Sequence, residues 1–400
     1  MAHAPHHAPV PVAEKYDSKK LGGFPTICLG VGAVGIFGSL IGLIFNRAQF
    51  AHSWLFAFAF FFTIAVGCLF WICLHHATDA EWSVVVRRVW ENIASLLPWF
   101  SLIFLPLILF CASDLWKWWD KNPGDDPLLD IKHGYLTHGF FWARAIGYFL
   151  LLGVWGMSLR SRSIAQDRDG AARHTLVMRK FGVTGIIVLA LCLTFGAFDW
   201  LMGLDYHWFS TMWGVYIFAG AAGASMSLTV IIVTFLRSQG YLKPVNLEHY
   251  HVMGKLMLAF TIFWAYIGFS QYMLIWYANI PEENVYFRIR NTETWCAFSW
   301  FLVIGRFFIP FPILLTQWVK KTPNRLCLVG GWIIFMQLID MYVVVLPSLH
   351  PSGFAPSILD LLALLGVGGT VGWLWSSKLP TSNLFPTRDP RLAASLNLTN

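Results

Sequence analysis

Ten long apolar stretches alternate along the chain with short polar segments. They cover roughly residues 22–46, 52–74, 94–113, 138–160, 180–203, 210–236, 252–278, 294–318, 325–346 and 355–376. A helix needs about 20 apolar residues to cross the hydrocarbon core, so each stretch predicts one membrane span. Residues 1–21 form a polar tail, and His3, His6 and His7 in it read as a disordered segment. The first stretch is too long for the apolar core of a signal peptide. Residues 377–400 form a second polar tail.

Two connections are long enough to fold. Residues 75–93 predict an amphipathic surface helix. Trp82, Val85, Val86, Val89 and Trp90 give it an apolar face, with Arg87 and Glu91 at i,i+4 toward water. Residues 114–137 set Trp116, Trp118 and Trp119 among Asp and Lys, which suits an interfacial aromatic belt or a docking surface. Neither connection could hold a catalytic domain.

Composition agrees with the pattern. Of 400 residues, 57% are apolar and only 12% charged. A soluble domain carries about 25% charged residues. A disordered chain, a nucleic-acid-binding domain and a compact cytosolic enzyme are therefore excluded. The net charge of +7 reports topology instead. Of the 28 Lys and Arg, 19 fall on the side of the two tails, six on the opposite side, and three (Arg144, Lys255, Arg306) inside spans. That bias predicts cytoplasmic termini. The expected fold is an all-α integral membrane protein with ten transmembrane helices. Its expected location is a membrane that it crosses ten times.

Charges inside spans are costly and mark candidate sites. The first group, from spans 4 to 6, is His138, Arg144, Asp199, Asp205 and His207. It suits either a site that binds and deprotonates a polar ring or, for Arg144 and Asp199, a pair that joins two helices. Lys255, Tyr266, Ser270, Gln271, Arg306, Gln337, Asp340 and Asp360 are expected to line a second polar track through spans 7–10. Against this, Lys255 can snorkel to the interface, and Arg306 with Asp340 can form a structural pair. His75, His76 and Asp79 are candidates for proton entry, or solvated interfacial residues. The seven Cys lack any C-x-x-C spacing and read as small packing residues. His is nearly absent from span interiors, so no haem or metal ligation is expected.

Two strings, FDWLMGLDYHWFSTMWGVYIFAG (198–220) and GKLMLAFTIFWAYIGFSQYMLIWYANIPEE (254–283), resemble the NrfD/PsrC-like, polysulfide-reductase-type membrane subunits. Segment 76–91, HATDAEWSVVVRRVWE, fits the same family. The resemblance is strongest to the second such subunit of bacterial alternative complex III, a quinol:cytochrome c oxidoreductase. It implies two four-helix bundles, spans 2–5 (about 52–203) and 6–9 (about 210–346), with spans 1 and 10 outside them. It also implies partners: a sister ten-span subunit, a multihaem cytochrome c, an iron–sulfur protein and small membrane subunits. Haem c and iron–sulfur clusters would then belong to the partners. This chain would conduct protons or hold a quinone of menaquinone or ubiquinone type. A transporter of an anionic solute and a purely structural anchor are the competing classes.

Overall fold

The computed structural model describes residues 13–122 and 124–399. The tail histidines His3, His6 and His7 lie outside the described residues. Among the described residues, ten helices are long and apolar enough to cross a membrane. They are α1 (Phe24–Phe45), α2 (Arg47–Ala77), α3 (Arg87–Phe110), α4 (His138–Asp169), α5 (Ala172–Leu204), α6 (Trp213–Ser238), α7 (Leu247–Ala278), α8 (Thr294–Leu315), α9 (Pro323–Ser348) and α10 (Ile358–Thr381). All ten predicted spans are present, in an all-helical multi-pass membrane protein.

Local chemistry sets the helix ends. Asn246 caps α7 by accepting from the Glu248 and His249 amides, and Ser357 with Asp360 forms a capping box on α10. Gly170 closes α4 at φ +67°, a left-handed position that costs glycine nothing. In α8, Ile304–Phe308 forms one π-helical turn ahead of Pro310.

α2 is apolar on every side and almost entirely buried, as a central helix should be. It packs against α1, α3, α5, α6, α9 and α10. α3 and α5 also contact α4, and α6 contacts α5, α7 and α9. α8 lies against α7 and α9. The most extensive helix contact is that of α1 with α10. A Cβ on Gly35 would fall 2.2 Å from the Gly366 nitrogen, and one on Gly369 would fall 2.4 Å from the Gly32 nitrogen. Glycines alone permit this backbone contact.

The described parts of the two tails meet on one face, termed the terminal face. Leu384 N donates to Glu14 O, and Leu242 N donates to Glu14 Oε2.

Segment 75–93 differs from the expected surface helix. α2 continues to Ala77, Asp79 turns the chain at φ +53°, and α3 begins at Arg87. Arg87, Arg88 and Glu91 are fully buried, because the C-terminal tail covers the face that the pattern assigns to water. The tryptophans of 114–137 differ too. Trp116 and Trp118 are buried, and both pack on Phe141.

Candidate functional site

Hydrogen bonding divides the first group of candidates into separate units. Arg144 on α4 grips Asp199 on α5 with two bonds, Nε to Oδ2 at 2.8 Å and Nη2 to Oδ1 at 2.9 Å. The Tyr148 hydroxyl donates to the same carboxylate at 2.9 Å, and Arg144 Nη1 donates to the Tyr135 carbonyl. The guanidinium also lies 3.8 Å from the centre of the Tyr135 ring. The Arg144 guanidinium is spent on Asp199 and the Tyr135 carbonyl, so the pair works as a clamp between two helices, while the buried Tyr135 hydroxyl has no partner among the described residues. His138 is exposed, stacks on Trp119 and contacts its carbonyl at 2.8 Å. It is not bonded to the clamp.

Asp205 and His207 belong to a surface cluster with Asp126. His207 Nε2 lies 3.1 Å from Asp126 and Nδ1 lies 3.3 Å from Asp205. The Tyr206 hydroxyl and the Leu128 amide donate to Asp126 and hold its carboxyl down at about 2. Nothing in the spacing of 114–137 distinguishes Asp126 from its acidic neighbours. The single five-residue outer site of the sequence reading is therefore corrected to these three units.

Deeper in the bundle, one site draws on four helices. Arg306 Nη1 donates to Asp340 Oδ2 at 2.9 Å, and Nη2 donates to Gln337 Oε1. The Tyr216 hydroxyl (α6) donates to Asp340 Oδ1 at 2.5 Å, and Trp264 Nε1 (α7) donates to Oδ2 at 3.1 Å. Arg306 also lies over the Trp264 ring at 4.5 Å. The π-turn inserts an extra residue per turn and brings the Arg306 guanidinium to Asp340. Gly220 makes room for it, since a Cβ there would lie 2.7 Å from Gln337 Oε1. Gln337 Nε2 is buried and has no partner among the described residues. A buried orphan donor of this kind marks a place for a water.

Other members of the expected second track lie elsewhere. Tyr266 is 63% exposed and turned away from Trp264, so it is removed from the track. Lys255 is exposed on α7. Gln271 accepts from the Ser210 hydroxyl at 2.7 Å. Ser270 is partly buried on α7. Asp360 is the N3 residue of the α10 capping box and accepts from Gln49, Ser53 and Tyr342. That satisfies it locally.

The terminal face holds the densest network. Arg87 donates to Glu91 at 2.8 Å, Asp389 at 2.7 Å and Ser163 at 3.2 Å. Arg88 pairs with Glu91 at 3.2 Å and Asp167 at 2.7 Å. Arg391 binds Asp389 and reaches Asp79 at 3.0 Å. His75 and His76 are buried within this network rather than solvated. Arg87 donates to His75 Nε2 at 2.8 Å, so that nitrogen must accept. Nδ1 then carries the proton and donates to Ser83 Oγ at 2.6 Å. A second proton on His75 would confront the guanidinium. His76 is different, because both of its ring nitrogens are buried without a partner among the described residues.

Burial alone would raise the Asp389 carboxyl, but Arg87 and Arg391 outweigh it and hold the group well below the ordinary 3.8. A depressed carboxylate contributes stability above its unfolded value and loses it only as pH falls through the folded one. The tail should thus stay docked at pH 3 and release at lower pH. Pepsin cleavage of residues 385–396 checks this, and cleavage already complete at pH 3 would contradict it.

Between α3 and α4 lies a groove of about 300 Å³, lined by Pro98, Phe104, Leu105, Trp142 and Phe149 among others. Its Ser101 hydroxyl is spent on the Pro98 carbonyl at 2.6 Å. The lining suits an acyl or isoprenoid chain but offers little to the two oxygens of a quinone ring. Among the described residues, no three His, Cys, Asp or Glu gather as a metal site would require.

These features define an all-helical multi-pass membrane protein with buried ion pairs and polar clusters. Compared with known proteins, the chain matches no family model and no curated sequence.

Proposed function

We propose that the chain is a cofactor-free, proton-conducting membrane subunit of a quinol:cytochrome c oxidoreductase of the alternative complex III type. The observation that carries the reading is the buried Arg306–Asp340–Tyr216–Gln337 site, with its unpartnered amide nitrogen. A proton relay needs a carboxylate, a hydroxyl and a place for water, and all three elements occur here.

His76 is the group on the terminal face whose ring nitrogens are uncommitted among the described residues, and so the place for a water that carries the proton. α6 carries buried Ser225, Ser227 and Thr229 between that face and the level of Gly220. Their hydroxyls donate to carbonyls of their own helix, and the Ser225 and Thr229 oxygens also accept from the Trp71 and Trp90 indoles, which leaves each of these two one lone pair. Asp340 holds the proton at its carboxylate. Arg306 keeps that carboxylate charged until a proton arrives, and Tyr216 passes it outward. Spans 2–5 and 6–9 form the two four-helix bundles of this reading, with the termini cytoplasmic in a bacterial inner membrane. Haem c and iron–sulfur groups belong to its partners. No step is assigned to a quinone, because the α3–α4 groove accommodates a tail and not a ring.

The Arg144–Asp199 clamp favours a second reading, a purely structural anchor, for that part of the molecule. Purification from native membrane in mild detergent tests the assignment. Co-purified haem c and iron–sulfur protein are expected. A lone chain that binds an anionic solute would replace the reading with a transporter.

A further inference from the structure

Two tryptophans beyond the Asp340 site are buried with nothing to bind. Trp208 and Trp213 are each only 2% exposed, and neither indole nitrogen has a partner among the described residues. Both rings belong to one aromatic box. Trp213 stacks on Tyr216 of the buried site, with ring centres 5.5 Å apart. Tyr286, on the short helix Pro281–Arg290, stacks on Trp208 at 4.3 Å and meets Trp213 edge-on at 5.4 Å. Burial pushes the Tyr286 hydroxyl up to about 12; Arg290 works against that rise, and the charge of Asp340 adds to it. Tyr286 thus keeps its proton and lies within electrostatic reach of Asp340.

Arg290 gives the box a fixed positive charge. Its guanidinium lies 3.4 Å from the centre of the Tyr286 ring and donates to the carbonyls of Val343, Val344 and Tyr286 at 2.9, 2.7 and 3.0 Å. Among the described residues it forms no ion pair, and Asp205 acts on its charge from further away. The box ends at the surface cluster, because Trp208 directly follows His207. His207 is half-exposed between Asp126 and Asp205, and Lys132 donates to the Tyr206 carbonyl beside them at 2.6 Å. Only a doubly protonated imidazole donates to both carboxylates, so the cluster is built to take up a proton. The positive charges of Arg290 and Lys132 work against its being held there.

We propose that Asp126, His207 and Asp205 are the proton-release cluster on the face opposite the tails, reached from Tyr216 through waters on the Trp213 and Trp208 indoles and through the Tyr286 hydroxyl. This rests on the proton-conducting reading above and adds its outer half. The Tyr216 hydroxyl gives up its proton as another arrives from Asp340. The proton moves by exchange along O–H groups, rests on His207 and enters the outer solution. Arg290 is a positioning residue, whose charge keeps a proton from resting in the box.

The test uses the full-length protein in proteoliposomes, oriented with the tails inside, under an imposed proton gradient. Tyr286→Phe keeps the stacking and should slow proton flux at least about tenfold. Wild-type flux should depend on the pH of the outer solution, and His207→Gln should lose that dependence. A merely structural histidine would leave the pH profile in place. His138→Gln, on the same face but outside the cluster, should change neither quantity. Flux that Asp340→Asn stops, but that Tyr286→Phe does not slow and His207→Gln leaves pH-dependent, would overturn this exit and spare the buried relay. A wild-type chain that conducts no protons would overturn both.

Discussion

Asp340→Asn is expected to abolish proton movement and to cost about 3–5 kcal/mol of stability, because it leaves the Arg306 charge buried without a counter-charge. Tyr216 and Trp264 would still find a side chain of the same shape, so the loss comes from charge and not from a cavity. Stability and conduction can be separated. An Arg306→Met/Asp340→Leu double variant removes both charges together, and such replacements are often neutral or stabilising. It should therefore fold at least as well as Asp340→Asn while conducting no protons. Unfolding in detergent and proton uptake in proteoliposomes measure the two quantities. Proton movement that persists in the well-folded double variant would rule out Asp340 as a relay and leave the pair a structural one.

The second large effect is expected at Glu91. Its carboxylate lies between Arg87 and Arg88, and all three side chains are fully buried. Glu91→Gln preserves the shape but leaves two guanidinium groups facing each other, with Asp389 and Asp167 as their remaining partners. A loss of about 3–5 kcal/mol follows from removing one partner of a buried pair. The tail should loosen as well, since it is fastened through Asp389. Thermal unfolding and protease access to residues 385–396 check both effects. An unchanged melting temperature would mean that the network tolerates the missing charge.

Much of the fold was legible in the sequence, because lipid forces a simple pattern: ten apolar runs became ten helices. The Arg144–Asp199 and Arg306–Asp340 pairs were legible for the same reason. A charge in a span must find a partner. The partners Tyr148, Tyr216 and Trp264 were not, because in an apolar run they count as bulk and their polar tips leave no periodic trace. Arg87 and Glu91 were misread as water-facing. An amphipathic pattern cannot distinguish water from a polar tail, and the covering residues Asp389 and Arg391 lie about 300 positions further along. Tyr266 fails on helical phase. Trp264, Ile267 and Gln271 share the buried face of α7, and Tyr266 falls between them. Asp360 had a visible signal, the Ser357-x-x-Asp360 spacing of a capping box.

The glycine contact between α1 and α10 bears on how the molecule is made. α1 and α10, which share the most extensive helix contact, lie more than 300 residues apart along the chain. During synthesis α1 must wait in lipid with its glycine face bare while more than 300 residues are inserted. Closure of the pair thus has to await the synthesis of α10. A chain that stops short of α10 would keep an adhesive helix that quality-control proteases can recognise.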